Sequence, residues 1–514
     1  MDKIELVENM PFPPSDVLRW KMAEHSAWYS GDPNVLATFY NQMLATNITG
    51  LPYMTNRDRF WARQVEADVE IGFHVPLAGD ISSTSADLIF NEPPIIKISE
   101  AYEEKATATN KKSQETLDLI LDNNSFFSKI VEGGEVCSAI GGVFVKLAWD
   151  KDLSPYPIPV IEQADSALAE FRFGHLVKVA FWETFLKDDA QKDYFRLFEI
   201  YSKDGSIDYK LFKGSIDKLG REVSLDTLEE TKDLEPVQTK IDDILCVYVP
   251  NVLPNRLKRA SNFGRSDYSG IEGIMDCLDE TYSSWMKDIL LAQGKVIVPE
   301  SFLQLKDGKT KYNFDQLAYA KMDIDPTVEG SKITAIQFQI RAMEFEKTSL
   351  NLLDRAISSA GYSPQSFGLQ IEGRAESGTA LTVRERKSLA TKKKKELYWD
   401  YAIRKLTKLT QLIYVLELKG RDMELNNTIT AQFNDSIANN INETSEALQK
   451  ISAASAASTE TMVRMLHPDW GDDEVLAEVA KIKEDKSFEP LQDPLMVGVE
   501  DEEEEEEENE EEEE

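Results

Sequence analysis

Apolar positions recur along this chain in two rhythms, one helical and one alternating. MPFPPSDVLRWKMAEHSAWYSGDPNVLATFYNQML (10–44) predicts two short amphipathic helices. SADLIFNEPPIIKIS (85–99) reads as a strand interrupted by Pro93-Pro94. SQETLDLILDNNSFFSKIVEGGEVCSAIG (113–141) reads as helical, with Leu117, Ile120, Leu121, Phe127 and Ile130 at roughly helical spacing. A strand-rich block follows: GGVFVKLAW (141–149), YPIPVI (156–161) and LVKVAFWETF (176–185). YFRLFEIYSKDGSIDYKLFKG (194–214) predicts a hairpin about Asp204-Gly205, a dipeptide that tolerates a tight turn. ILCVYVPN (244–251) closes the block.

Beyond residue 265 the rhythm is mostly helical. Ile271, Ile274, Met275, Leu278, Tyr282, Trp285, Met286, Ile289 and Leu290 fall at helical spacing within 266–293. Asp267 or Ser269 is suited to cap the start, and Gly294 to stop it. A second helix is expected over about 336–360, ended by Gly361. Between them, 294–332 reads as a β-rich insert with a DG turn. If the helices pair antiparallel, the insert projects from one end as a small separate unit. After a loop at 361–376, a helix is expected from Ser377 to Leu418, spanning about 60 Å if unbroken. NTITAQFND (427–435) predicts one returning strand. Residues 441–486 predict a helical pair broken at His467-Pro468.

Length and charge narrow the picture. At 514 residues, two to four domains are expected. The formal charge is −35. Residues 500–514 hold fourteen acids, so the remainder carries −35 + 14 = −21. That tail repels itself and is expected to be disordered, serving solubility or binding a basic partner. An acidic balance argues against a simple surface binder of nucleic acid, which needs a positive face. Cys137, Cys246 and Cys277 lack disulfide-like or metal-like spacing, so free thiols in a reducing cytoplasm are expected. The N-terminus, MDKIELVENMPFPPSD, has no signal-peptide pattern. LTQLIYVLEL (409–418) is about half the length that spans a bilayer, so a soluble intracellular product without membrane contact is expected.

No catalytic constellation, cofactor motif or metal-ligand spacing is found. GRAESGT (373–379) has the glycine spacing of a phosphate-binding loop, but Thr379 stands where the lysine should be. The four histidines, 25, 74, 175 and 467, are scattered and suit core or surface roles. The basic stretch is more distinctive: Arg384, Arg386, Lys387 and Lys392–Lys395 against Glu385 give a local charge near +6. Four consecutive lysines turn through about 300° of a helix and cannot face one ligand together. Ion pairing between elements or subunits and contact with phosphate both remain open for this stretch.

Several phrases resemble the portal proteins of tailed bacteriophages with long non-contractile tails. They are IGFHVPLAGDISSTSADLIFNEPP (71–94), GRSDYSGIEGIMDCLDETYSSW (264–285), AISSAGYSPQSFG (356–368), ESGTALTVRERKSLATKKKKELY (376–398) and AASTETMVRMLHPDWGDDEV (456–475). Together they cover most of 60–485. The resemblance implies an α+β portal fold in a ring-forming homo-oligomer of twelve. Its parts would be a mixed α/β wing (1–265), stem helices (266–293 and 336–360), a small β-rich clip (294–335) and a tunnel loop (361–376). A long helix with a returning wing strand (377–435), a helical crown (436–486) and the acidic tail (487–514) would follow.

It further implies a non-enzymatic, virion-associated channel at one capsid vertex, assembled in the host cytoplasm. Double-stranded DNA would pass through it during packaging and ejection. Partners would be the major capsid and scaffold proteins, the terminase large subunit and a head-completion adaptor. Gln365, Gln370, Gly373 and Arg374 would face DNA. Lys306, Lys309, Lys311 and Tyr312 would meet partners at the clip. Arg384, Arg386, Lys387, Lys392 and Lys393 would pair with neighbouring subunits. The alternatives are a nucleotide-dependent packaging motor using 373–379, or an acidic capsid assembly protein.

Overall fold

A computed structural model describes residues 4–14, 16–45, 59–63, 72–101, 108–188, 193–292, 295–299, 319–322, 334–336, 339–369, 378–425, 428–433, 441–454, 456–467 and 472–487. The chain divides into two units, 1–434 and 435–514.

The first unit opens with a short arm laid along a sheet edge, followed by α1 (Val17–Tyr29) and α2 (Pro33–Ala45), both expected. Asp16 caps α1, its carboxylate accepting from the Leu18 and Arg19 amides at 2.8 and 2.9 Å. A single turn, α3 (Phe60–Arg63), precedes α4 (Leu77–Phe90). Here the expectation fails: residues 85–90 belong to a helix, and only β1 (Ile95–Ile98) beyond the prolines is a strand. Leu77, Ile81, Ala86, Ile89 and Phe90 make a buried helical face, and tertiary packing of that face outweighs local propensity. Phe90 lies so close to Gly134 that a Cβ there would sit 2.7 Å from its ring. The single helix expected over 113–141 is two, α5 (Ala108–Asn123) and α6 (Phe126–Ile140), broken where Ser125 adopts φ +50°.

Next come β2 (Gly142–Ala148), β3 (Ile158–Gln163), β4 (Ala167–Arg172), β5 (His175–Asp188), β6 (Asp193–Ser202), β7 (Ser206–Ser215) and β8 (Lys218–Val223). β9 (Val237–Gln238) and β10 (Cys246–Pro250) complete the block. β4 to β8 form an antiparallel meander in chain order, with β9 paired to β7. The β6–β7 hairpin turns at Asp204-Gly205 as expected, Gly205 at φ +75°. Any Cβ there would lie 2.0 Å from the Ile241 carbonyl oxygen, so glycine is required. The N-terminal arm protects the β8 edge: Asn9 donates to Gly220, and Leu219 to Met10. Phe12 of the arm fills a core of Ala180, Phe198, Ile200, Phe212 and Leu219. β2 sits between β10 and β3 in a second antiparallel sheet.

Helix α7 runs from Glu272 to Leu291. A three-stranded sheet follows, with β11 (Lys295–Pro299) between a parallel β12 (Tyr319–Met322) and an antiparallel β13 (Thr334–Ile336). Helix α8 spans Ala342–Ala360 and ends, as expected, at Gly361 with φ +107°. The long helix α9 runs unbroken from Gly378 to Leu416, 39 residues, or about 58 Å. It packs on β10, β2 and α4, with Trp399 edge-on to Phe90 at 5.0 Å. β14 (Ile429–Gln432) returns to pair antiparallel with β1.

In the second unit the expected helical pair is three helices: α10 (Ile441–Ala453), α11 (Thr459–Leu466) and α12 (Asp472–Ser487). The extra break comes from Ser458, whose hydroxyl accepts from the Thr461 amide at 3.2 Å and starts a new helix. Val463, Val475 and Val479 pack with Ile482 in a small core.

Candidate functional site

The features of functional interest converge on the α7–α8 pair and the first half of α9. α7 and α8 are antiparallel neighbours. At one end Arg341 reaches Asp288 at 3.0 Å, and Trp285 stacks on Phe345 with centroids 6.1 Å apart. Towards the other end, Cys277 and Leu352 line the same cleft of about 560 Å³. The β11–β13 sheet lies, in chain order, between the paired ends.

α7 begins later than expected and is not capped by Asp267 or Ser269. Its first residue, Glu272, folds back and accepts from the Gly270 amide at 2.8 Å. Glu272, Asp276 and Asp279 then recur at i, i+4 and i+7 on one buried face. Each anchors an N-terminal segment. Glu272 meets His25 and Lys21, both at 3.1 Å. Burial alone would raise its pKa, but these partners hold it down at about 2. Asp276 accepts from the Phe60 amide at 2.8 Å, and burial pushes its pKa up to about 6. Asp279 accepts from Trp61 Nε1, His74 Nδ1 and the Val75 amide at 2.8–2.9 Å. Burial raises its pKa against those bonds.

Asp267 itself has a different role. It is fully enclosed at the meeting point of five chain segments. Its Oδ2 accepts from Ser138 Oγ at 2.5 Å, Tyr362 Oη at 2.7 Å and Lys395 Nζ, and its Oδ1 from Asn251 Nδ2 at 2.9 Å. Burial favours the protonated acid, yet the Lys395 ammonium and these donors keep its pKa below the usual carboxylate value. Lys395 completes its donor set on Ser85 Oγ at 2.5 Å and Tyr362 Oη at 2.9 Å. One carboxylate thus joins the lead-in to α7, the exit of α8, α9, α6 and, through Lys395, α4. The exit of α8 is further stitched to α9. Thr391 Oγ1 donates to the Gly361 carbonyl at 2.6 Å, Ser388 Oγ accepts from the Ser363 amide at 2.8 Å, and Lys387 donates to the Ser358 carbonyl.

The four consecutive lysines divide as helical geometry requires: Lys392 and Lys395 are buried, Lys393 and Lys394 exposed. Lys392 pairs with Glu396 at 3.6 Å within the same helix. Arg386 and Lys387 are exposed, and Arg384 lies in α9 with its side chain outside the described residues. Gln365 is half-buried in the 3₁₀ turn Pro364–Phe367. Gln370, Gly373 and Arg374, and Lys306, Lys309, Lys311 and Tyr312, lie outside the described residues. So does all of GRAESGT before Gly378.

Sequence reasoning missed Asp267, Tyr362, Lys395 and the acids of α7 as structural anchors. One signal was present: acids at i, i+4 and i+7 alternate with apolar positions on a helix too apolar to be solvated all round. Among the described residues no group of three or more His, Cys, Asp or Glu is placed to hold a metal ion. No described helix is long and apolar enough to cross a membrane.

No curated protein matches. Among solved structures, the neck of an empty GTA particle is similar at 12% identity, TM-score 0.42, covering 76% of this chain and 90% of that one. The virion of a native gene transfer agent particle follows at 11% identity, TM-score 0.40, covering 89% and 96%. The neck of a native GTA particle follows at 11% identity, TM-score 0.39, covering 76% and 89%. The family model described as "Phage portal protein, SPP1 Gp6-like" matches residues 19–489, most of the chain, and the chain belongs to that family of phage portal proteins.

Proposed function

We propose that this chain assembles into a twelve-membered ring at one vertex of a phage capsid. It serves there as a non-catalytic conduit through which double-stranded DNA is packaged and ejected. The observation that carries the reading is the antiparallel α7–α8 pair, bracketing a small β-sheet and feeding through Gly361 into a 39-residue helix, in a chain matched by the portal family over 19–489. On this reading α7 and α8 are the stem and 294–335 the clip, where Lys306, Lys309, Lys311 and Tyr312 meet the terminase large subunit and later the head-completion adaptor. Residues 361–376 are the tunnel loop, 377–435 return through the wing of 1–265, and 436–486 form the crown. Major capsid and scaffold proteins surround the ring.

An acidic conduit suits this task. Each phosphate neutralised by a fixed lysine releases counterions and adds affinity, which a moving duplex meets as drag. An acidic wall repels and centres the duplex instead. Contact is then confined to Gln365, Gln370, Gly373 and Arg374. The exposed cations Arg386, Lys387 and Lys393, together with Arg384, serve subunit pairing.

Native mass measurement and negative-stain imaging test the ring. Twelve copies of 58.2 kDa approach 700 kDa, with a central hole. A monomer without a pore, or nucleotide hydrolysis by the purified chain, refutes the reading. Arg374→Ala is expected to leave the ring intact and change packaging or DNA retention. Unchanged packaging and retention would remove Arg374 from the DNA contact.

A further inference from the structure

The tip of the β4–β5 hairpin is built against the chain's own interest. Phe173 holds a left-handed backbone, φ +50°, that glycine adopts more readily, and its side chain is 94% exposed. Beside it, Gly174 and His175 line a hollow of about 290 Å³ with Leu253 and Asn262 of the loop between β10 and α7, and with Leu397 and Tyr401 of α9. Leu397 is 73% exposed and Tyr401 52%. The same loop exposes Leu257 amid Arg256, Lys258 and Arg259. Along α9, Leu397 and Tyr401 continue an exposed stripe through Lys393, Lys394, Lys387 and Arg386. An apolar cluster of this kind, rimmed by charge, marks a protein contact.

We propose that this face is one half of the seam between neighbouring copies in the ring. The inference rests on the portal reading and specifies its partner surface. No acid occurs between Asp243 and Asp267, and the loop and stripe together display seven cations. Two such faces repel each other, so the patch cannot be self-complementary as a two-fold contact requires. Without those seven cations and without the fourteen acids of 500–514, the rest of the chain sums to −35 − 7 + 14 = −28. A second copy therefore offers abundant complementary surface elsewhere on its body. A contact between two different patches closes into a ring or runs on as a filament. DNA matches the cations but leaves Phe173, Leu257 and Leu397 without an apolar partner.

The test uses the full chain. Photoreactive p-benzoylphenylalanine at position 173 is irradiated in assembled rings free of DNA. The expected product is a ladder of covalent multimers whose adduct peptide comes from a different part of the same sequence. A 173-to-173 adduct, an adduct only with added DNA, or no adduct overturns the seam. In parallel, Phe173→Gly relieves the left-handed backbone, so dissociated chains should melt at the same temperature or higher. Its half-assembly concentration should rise tenfold or more, and R256E/K258E/R259E should raise it further. Wild-type rings with unchanged Phe173→Gly assembly overturn the seam alone. A wild-type chain that never forms rings overturns the portal reading and the seam with it.

Discussion

Replacing Lys395 by methionine should loosen the junction between the α7–α8 pair and the rest of the first unit. The volume is nearly kept, so packing changes little. The ammonium is lost, and Asp267 stays enclosed with three neutral donors, Ser138, Tyr362 and Asn251. Removing one partner of a buried ion pair costs about 3–5 kcal/mol. Ser85 and Tyr362 also lose a donor, so a total near 4 kcal/mol is reasonable. A chain of this size does not unfold in one step, so local opening is the better observable. Hydrogen exchange at residues 356–367 should quicken by about a thousandfold, since 1.4 kcal/mol is a factor of ten. The sign with pH follows. In the wild type, Asp267 titrates lower folded than unfolded, so its stabilisation is present above its unfolded pKa and is lost as pH falls through the folded value. In the variant, burial without a countercharge raises the folded pKa, so the defect should shrink as pH falls from 8 towards 5. Adding Asp267→Asn should recover most of the loss, since the pair is then replaced rather than broken. A single variant less than tenfold faster in exchange, or a double variant no better than the single, would refute the account.

The acids of α7 should respond to pH in opposite directions. Asp276→Asn should raise the melting temperature at pH 7–8 by removing a penalty of about 1–3 kcal/mol. It should also flatten the gain that the wild type shows as pH falls from about 6 towards 4, because a raised carboxyl pKa favours the folded state on protonation. Glu272→Gln should instead remove stability that the wild type holds above about 4.5 and loses between there and 2, visible in acid-denaturation curves. Asp279→Ala should leave Trp61, His74 and the Val75 amide without their acceptor and cost about 3 kcal/mol, read as faster exchange at 73–77. Gly361→Ala should cost at least about 1 kcal/mol, read as faster exchange at 361–363, because φ +107° strains alanine and its Cβ would meet Thr391 Oγ1 at 3.1 Å.

Elements with local period were legible in the sequence, and long-range polar partners were not. The α7 and α8 stripes, the Asp204-Gly205 turn and the Gly361 stop each rest on residues a few positions apart. β4 was missed because Ala167–Arg172 is short and only weakly alternating. Helix α4 was misread because the Pro93-Pro94 break drew attention to a strand that was begun six residues inside the helix, at 85 rather than beyond Phe90. Asp267 looked like a helix cap because aspartate before an apolar run usually is one. Its true partners lie 16 to 129 positions away, a separation that no periodicity encodes. Lys395 was hidden in a four-lysine run whose helical turn announced that some members must face inward, without saying which.

That run also explains how so acidic a chain can hold a concentrated basic segment. The helix turns Lys392 and Lys395 into the protein, where Glu396 and Asp267 answer them, and leaves Lys393 and Lys394 with Arg386 and Lys387 on the outer stripe. Lys395, bonded to Asp267 and Tyr362, fixes where α9 sits against the α7–α8 pair, so the outward cations inherit a defined position. A cation held in place by a buried network loses less freedom on meeting a partner than one on a loose helix, which improves specificity at little cost in entropy. Rings of chains each carrying −35 are opposed by long-range repulsion, and salt screens distant charges first. Close pairs at a positioned stripe outlast that screening, so local attraction can prevail over net repulsion without making the body of the chain attractive to a polyanion.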